Sequence, residues 1–172
     1  MTSAFDPTEF LDAPTSTVNE RRAVVPVENP DTPDGLYVAM IGQVEMACGL
    51  ISKGDRMGQP WLQAVVPLEL QLTPTLQQTL GFDKPVFTVT DRPMLDLMPG
   101  ASIDAAGKLH GSLDNGKGKN RAQKAYRDAL DLNKQGDTFS WRQVQGRLVK
   151  VKLSHDIYQG APVEKIALVL KA

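Results

Sequence analysis

Positive charge and flat rings recur side by side in this sequence, and together they describe one kind of chemistry. Lysine and arginine attract phosphates, and an accessible aromatic face lets a nucleobase stack, each stack contributing about 1–3 kcal/mol. Trp61 follows a loop that carries Lys53 and Arg56. Lys117, Lys119 and Arg121 stand at the start of a helical pattern, and Arg147, Lys150 and Lys152 lead to Tyr158. These eight cations and two rings are the candidate nucleic-acid contacts. Tyr126, between Lys124 and Arg127, shares an apolar helix face, and Trp141 is placed to anchor that helix to the body. Trp61 and Tyr158 are the rings expected at the surface.

The charge is segregated. The chain sums to -1, yet Lys108 to Lys152 holds eleven basic residues against four acidic ones, a net of +7. The first thirty-five residues hold seven acids against Arg21 and Arg22, a net of -5. A clustered patch attracts polyanions whatever the overall charge. Part of the basic field is spent locally, because Lys124 with Asp128 and Arg127 with Asp131 have the i, i+4 spacing of helical ion pairs.

Other chemistries find less support. Gly111 to Lys117 matches the GxxxxGK spacing of a phosphate-binding loop, but position 118 is glycine where such a loop needs a Mg²⁺-ligating hydroxyl. The residues before it, Ile103 to His110, are too polar and broken for the buried strand that loop follows, so a flexible basic loop is expected instead. His110 and His155 are 45 positions apart and Cys48 is alone, which leaves no metal-ligand spacing and no disulfide. Cys48 reads as a buried small hydrophobe. Asp91, Asp96 and Asp104 could meet in space, but three separated carboxylates are common in any soluble protein and do not argue for catalysis, so no enzyme and no cofactor is expected.

A length of 172 residues with 41% hydrophobic and 23% charged residues suits one globular body. The longest apolar runs, Ala64–Leu68 and Ile166–Leu170, fall far short of the ~20 residues of a membrane span. No basic-then-apolar secretory order opens the chain, and residence in a reducing cytoplasm is expected. Residues 1–34 read as an extended acidic arm with five of the twelve prolines, and Phe5, Phe10 and Leu11 are its residues expected to dock on the body or a neighbour. The body, 35–172, begins with a strand over Leu36–Ala47, an exposed loop, and a long strand from Trp61 to Leu72 in which Pro67 argues for a bulge or edge. Short strands follow near Pro85–Thr90 and Met94–Met98. The periodicity predicts a helix over Lys119–Asn133, a short helix near Trp141–Gln145, and strands at Arg147–Tyr158 and Val163–Leu170. Without a βαβ rhythm, the expected fold is mostly β (α+β): an OB-like antiparallel barrel with one inserted helix.

The stretch from Gly146-Arg147 through Lys150, Lys152, His155 and Tyr158 to Gly160, closing in Ile166-Ala-Leu-Val, resembles the C-terminal hairpin of a family of small phage early proteins. That family is similar to OB-fold single-stranded DNA-binding proteins. Gly35-Leu-Tyr37, Gly58-Gln-Pro-Trp61 and Lys119-Asn120-Arg121 leading to Ala129-Leu-Asp-Leu-Asn133 also match it. The resemblance implies a non-enzymatic role in phage DNA replication or recombination, in the cytoplasm of an infected bacterium. Partners expected on this reading are single-stranded DNA, a further copy of the chain, and a phage or host replication protein; no membrane is among them. The chain ends Val169-Leu-Lys-Ala172 rather than in the acidic tail many such binders use for recruitment, and the acidic leader is the candidate substitute. The alternative is a virion structural protein, a capsid cement or decoration protein whose arm contacts neighbouring subunits.

Overall fold

The computed structural model describes residues 22–136 and 138–172. Phe5, Phe10 and Leu11, with most of the 1–34 arm, lie outside the described residues. The elements are β1 (Tyr37–Ile41), β2 (Glu45–Leu50), β3 (Pro60–Gln71), α1 (Pro74–Leu80), β4 (Val86–Asp91), β5 (Met94–Leu95), β6 (Ser102–Ile103), β7 (Leu109–His110), α2 (Arg121–Ala129), a 3-10 turn (Trp141–Val144), β8 (Leu148–Tyr158) and β9 (Ala161–Lys171). No helix among the described residues is long and apolar enough to cross a membrane.

The long strand β3 organises the sheet. Its first half pairs with β2 on one side and β5 on the other; its second half pairs with β1 and β4. The change of neighbour falls at Pro67, between Val65 opposite Glu45 and Leu68 opposite Ile41. Proline brings no N–H to a ladder, so it sits where β2 has ended and β1 has not begun. Gly42 closes the junction by donating its N–H to the Pro67 carbonyl at 2.8 Å. A Cβ at Gly42 would come within 3.0 Å of the Pro67 ring. Pro67 therefore marks a switch of partners in a central strand, not the edge its type suggested.

Alternation fixes which face is buried. Ala64, Val66, Leu68 and Leu70 of β3, Tyr37, Ala39 and Ile41 of β1, and Val149, Val151 and Leu153 of β8 point into one core. Tyr126 and Ala129 of α2 and Leu130 just after it join this core, as does Val25, which is fully buried although it precedes the strands. Burying that valine contributes about 1.5 kcal/mol. The helix stops earlier than its periodicity predicted. Asp131 takes a left-handed conformation (φ 57°), and the Leu132 N–H turns back to the Arg127 carbonyl at 2.8 Å, which lets Leu132 pack against the core.

The expected barrel is not formed. The seven strands make an open antiparallel sheet, β9-β8-β1-β3-β4 with β2 and β5 continuing along β3, and β4 and β9 share no strand pairing. The two free edges are bridged by another piece of chain. Glu164 of β9 accepts the Arg22 guanidinium at 2.8 and 2.6 Å and the Val25 N–H at 2.8 Å, while Arg22 lies 4.7 Å over the Phe87 ring of β4. A salt-bridged strap stands where a closed OB-fold would place a ladder. The fold is mixed α+β, and β6 with β7 forms a separate two-stranded sheet.

Candidate nucleic-acid interface

The loop between β2 and β3 is held by its own backbone. Ile51 N–H donates to the Gln59 carbonyl and Gly58 N–H to the Ile51 carbonyl, at 2.9 and 2.8 Å. The turn needs positive φ at Gly54 and Gly58, both 83°, where a side chain would be strained. Lys53 and Arg56 are thereby carried outward, Arg56 meeting the Gln59 amide at 3.0 Å. Trp61 follows on β3, directly opposite Gly49 of β2. Its ring lies against the glycine backbone, for a Cβ at position 49 would sit 2.8 Å from Trp61 Cζ2. The half-buried ring lines a cleft of about 630 Å³ with Arg56, Met94, Met98 and Lys119, and a shallower one with Leu50 and Lys53.

Lys119 reaches this cleft because Asn120 ties the start of α2 to the end of β5. The Asn120 Oδ1 accepts the Asp96 N–H at 2.8 Å, its Nδ2 donates to the Asp114 carbonyl at 2.8 Å, and its own N–H donates to Asp96 Oδ2 at 2.7 Å. Asparagine tolerates the left-handed conformation this requires (φ 48°). Lys117 and Arg121 flank Lys119 and are exposed. Among the described residues, Lys53, Arg56, Lys117 and Arg121 have no ion-pair partner, and Lys119 has one at 3.9 Å, Asp114.

Four of the ten expected residues therefore gather at this end of β3, Lys53, Arg56, Trp61 and Lys119, with Lys117 and Arg121 two positions either side of Lys119 in the chain. The other four do not join them. Arg147, Lys150, Lys152 and Tyr158 belong to the β8 hairpin, whose ladder partners are β1 and β9. Lys150 is paired with Asp34 at 2.8 Å and Lys152 with Glu28 at 3.6 Å, so the chain's own acidic segment covers the alternating lysines. The Lys150 ammonium, then the Leu36 N–H, hold the Asp34 carboxyl below its ordinary range. Arg147 contacts the Leu130 carbonyl at 3.5 Å, and Tyr158 lies at the hairpin end, 65% exposed.

The remaining groups take structural places. Asp91 accepts the Tyr126 hydroxyl at 2.8 Å, Asp96 holds Asn120, and Asp104 pairs with His110 at 2.8 Å, so the three aspartates do not meet. Burial raises the Asp91 carboxyl even against that hydroxyl. His155 contacts the Val25 carbonyl at 2.8 Å. Among the described residues, no group of three or more His, Cys, Asp or Glu side chains is placed to hold a metal. Cys48 is exposed, against expectation, because β2 is an edge strand and the residue sits on its open face.

Two features escaped the sequence reading. Met46, Met57, Met94 and Met98 are all exposed, at 49, 69, 55 and 44%, giving the Trp61 end a polarizable apolar surface. Gln123 is buried on the same helical stripe as Tyr126 and Ala129; its signal was a polar residue three positions before Tyr126 in an apolar register. Comparison with protein-family models, with curated proteins and with solved structures finds no match.

Proposed function

We propose that this chain is a non-enzymatic single-stranded DNA-binding protein that works through the face built from the 51–59 loop, Trp61 and residues 117–121. The observation that carries the reading is an accessible tryptophan beside Lys53 and Arg56, which have no ion-pair partner among the described residues, and Lys119, whose one such partner is Asp114 at 3.9 Å. Unpaired cations lose little by turning to phosphate, and a ring with one face on a glycine keeps the other for a base. With the barrel gone, the phage resemblance supports the role in replication or recombination but not the geometry of binding. The test is fluorescence anisotropy of a labelled oligo(dT) together with tryptophan quenching. Trp61→Ala should weaken binding by roughly 10-fold or more and remove the quench. An oligonucleotide that neither binds nor quenches removes the proposal.

The virion alternative draws on a different surface. Met40, Leu148, Leu168 and Leu170 lie exposed across β1, β8 and β9, and an apolar face of this kind suits a protein neighbour. Recovery of the chain in purified virions, lost on Leu148→Lys, would favour that reading.

A further inference from the structure

The face of the sheet turned away from the core carries an apolar cluster of its own. Alternation against the buried Ala39, Ile41, Val149 and Val151 sends Met40 of β1 and Leu148 of β8 outward. Register sets Met40 between Leu148 on one side and Glu69 of β3 on the other. The next rungs place Val38 beside Lys150 and Leu170, then Lys152 beside Leu168. Met40, Leu148, Leu168 and Leu170 are 36, 52, 53 and 40% exposed. They adjoin one another across three strands, and a contiguous exposed cluster of this kind marks a contact surface.

Its charges say what the surface fits. Lys150 and Lys152 are paired within the chain to Asp34 at 2.8 Å and Glu28 at 3.6 Å, so a polyanion gains little here. Each ammonium still has three N–H donors and one carboxylate partner among the described residues. Glu69, half-buried on the opposite side of Met40, has no ion-pair partner among the described residues. A face with a free carboxylate at one side, lysines with donors to spare at the other and apolar residues between is complementary to itself.

We propose that this face binds a second copy of the chain across a two-fold axis, with Glu69 of each copy meeting Lys150 of the other. A two-fold contact uses one patch twice, so the pair made in one direction recurs in the other. The axis that exchanges Glu69 with Lys150 crosses the ladder at Met40 and Leu148, because β1 separates β3 from β8. Facing sheets stack about 10 Å apart, which brings the Leu148 side chains of the two copies together. The inference goes beyond the single-strand reading and is measured without DNA, so either can fail alone.

Sedimentation velocity over a dilution series tests it. Wild type should sediment at twice the chain mass and dissociate on dilution. Leu148→Glu puts a carboxylate in the apolar centre, and Glu69→Lys sets like charges against Lys150. Each should raise the dissociation constant about tenfold or more while keeping the native circular-dichroism spectrum. Monomers at every concentration overturn the proposal, whether the face is bare, covered by residues 1–21 or reserved for a shell neighbour. A dimer indifferent to both variants lies elsewhere and overturns it too. Should the variants not fold, Leu148→Cys in a Cys48→Ser background decides. Mild oxidation should join two copies through position 148, faster than through Met57→Cys in the exposed loop of the same background. No crosslink, or one no faster than at position 57, overturns the two-fold contact.

Discussion

Replacing Lys117, Lys119 and Arg121 together by Ala tests the proposed face most directly, because the structure sets the size of the effect. All three side chains are exposed, and among the described residues their polar contacts are the 3.9 Å approach to Asp114 and a 3.3 Å bond from Arg121 to the Gly118 carbonyl. Such surface changes typically stay within about 0.5 kcal/mol of wild-type stability. Binding should respond strongly. If Lys53, Arg56, Lys117, Lys119 and Arg121 each neutralise one phosphate, the log–log salt slope on single strands is about -3.5. Raising salt from about 50 to about 200 mM then weakens wild-type binding about 130-fold. The triple variant keeps two of the five contacts, with a slope near -1.4 and a reduction of about sevenfold over the same range. Anisotropy of labelled oligo(dT) across a salt series reads both numbers. The matched control is Lys150→Ala with Lys152→Ala, in which the slope should hold, because Asp34 and Glu28 already neutralise those lysines. A wild-type slope in the triple variant, with a shallower one in the control, would refute the assignment and place the strand on β8.

Four further outcomes follow from the same geometry. Gly49→Ala must push the Trp61 ring off the β2 backbone, so tryptophan emission should shift and oligo(dT) affinity fall, while an unchanged spectrum denies that the glycine seats the ring. Glu164→Ala strands the Val25 N–H and releases Arg22, and since Arg22 is itself half exposed the cost should be about 2–3 kcal/mol, or a Tm lower by roughly 5–10 °C by calorimetry. Burial alone would raise the Glu164 carboxyl, but Arg22 and the Val25 N–H hold it below the glutamate value of 4.5; the stability wild type holds over Glu164→Gln is therefore present above that pH and should vanish as pH falls through the lower folded value, and a gap that persists in acid contradicts the pairing. Exposed Cys48 should react with a thiol reagent in the native protein without denaturant; protection until unfolding would place it in the interior.

What was legible in the sequence was whatever depends on near neighbours. The alternation of Val149, Val151 and Leu153 with Lys150 and Lys152 gave β8 and its buried face, because period two is a local property. The loop glycines and the start of α2 were readable for the same reason. Closure was not, because it depends on two distant edges finding each other, and here Glu164 is satisfied instead by a residue 142 positions away, Arg22. The β8 lysines show the same limit: their stretch is basic in composition, but the carboxylates that pair with them, Asp34 and Glu28, lie more than a hundred positions upstream. Charge counted along a chain thus measures what a surface could present, and only the fold decides which cations remain unpaired. By that measure the stretch singled out by its clean alternation is the neutralised one. Lys53, Arg56, Lys117 and Arg121, less regular in sequence, are the ones without an ion-pair partner among the described residues, which is why the proposed face is drawn through them.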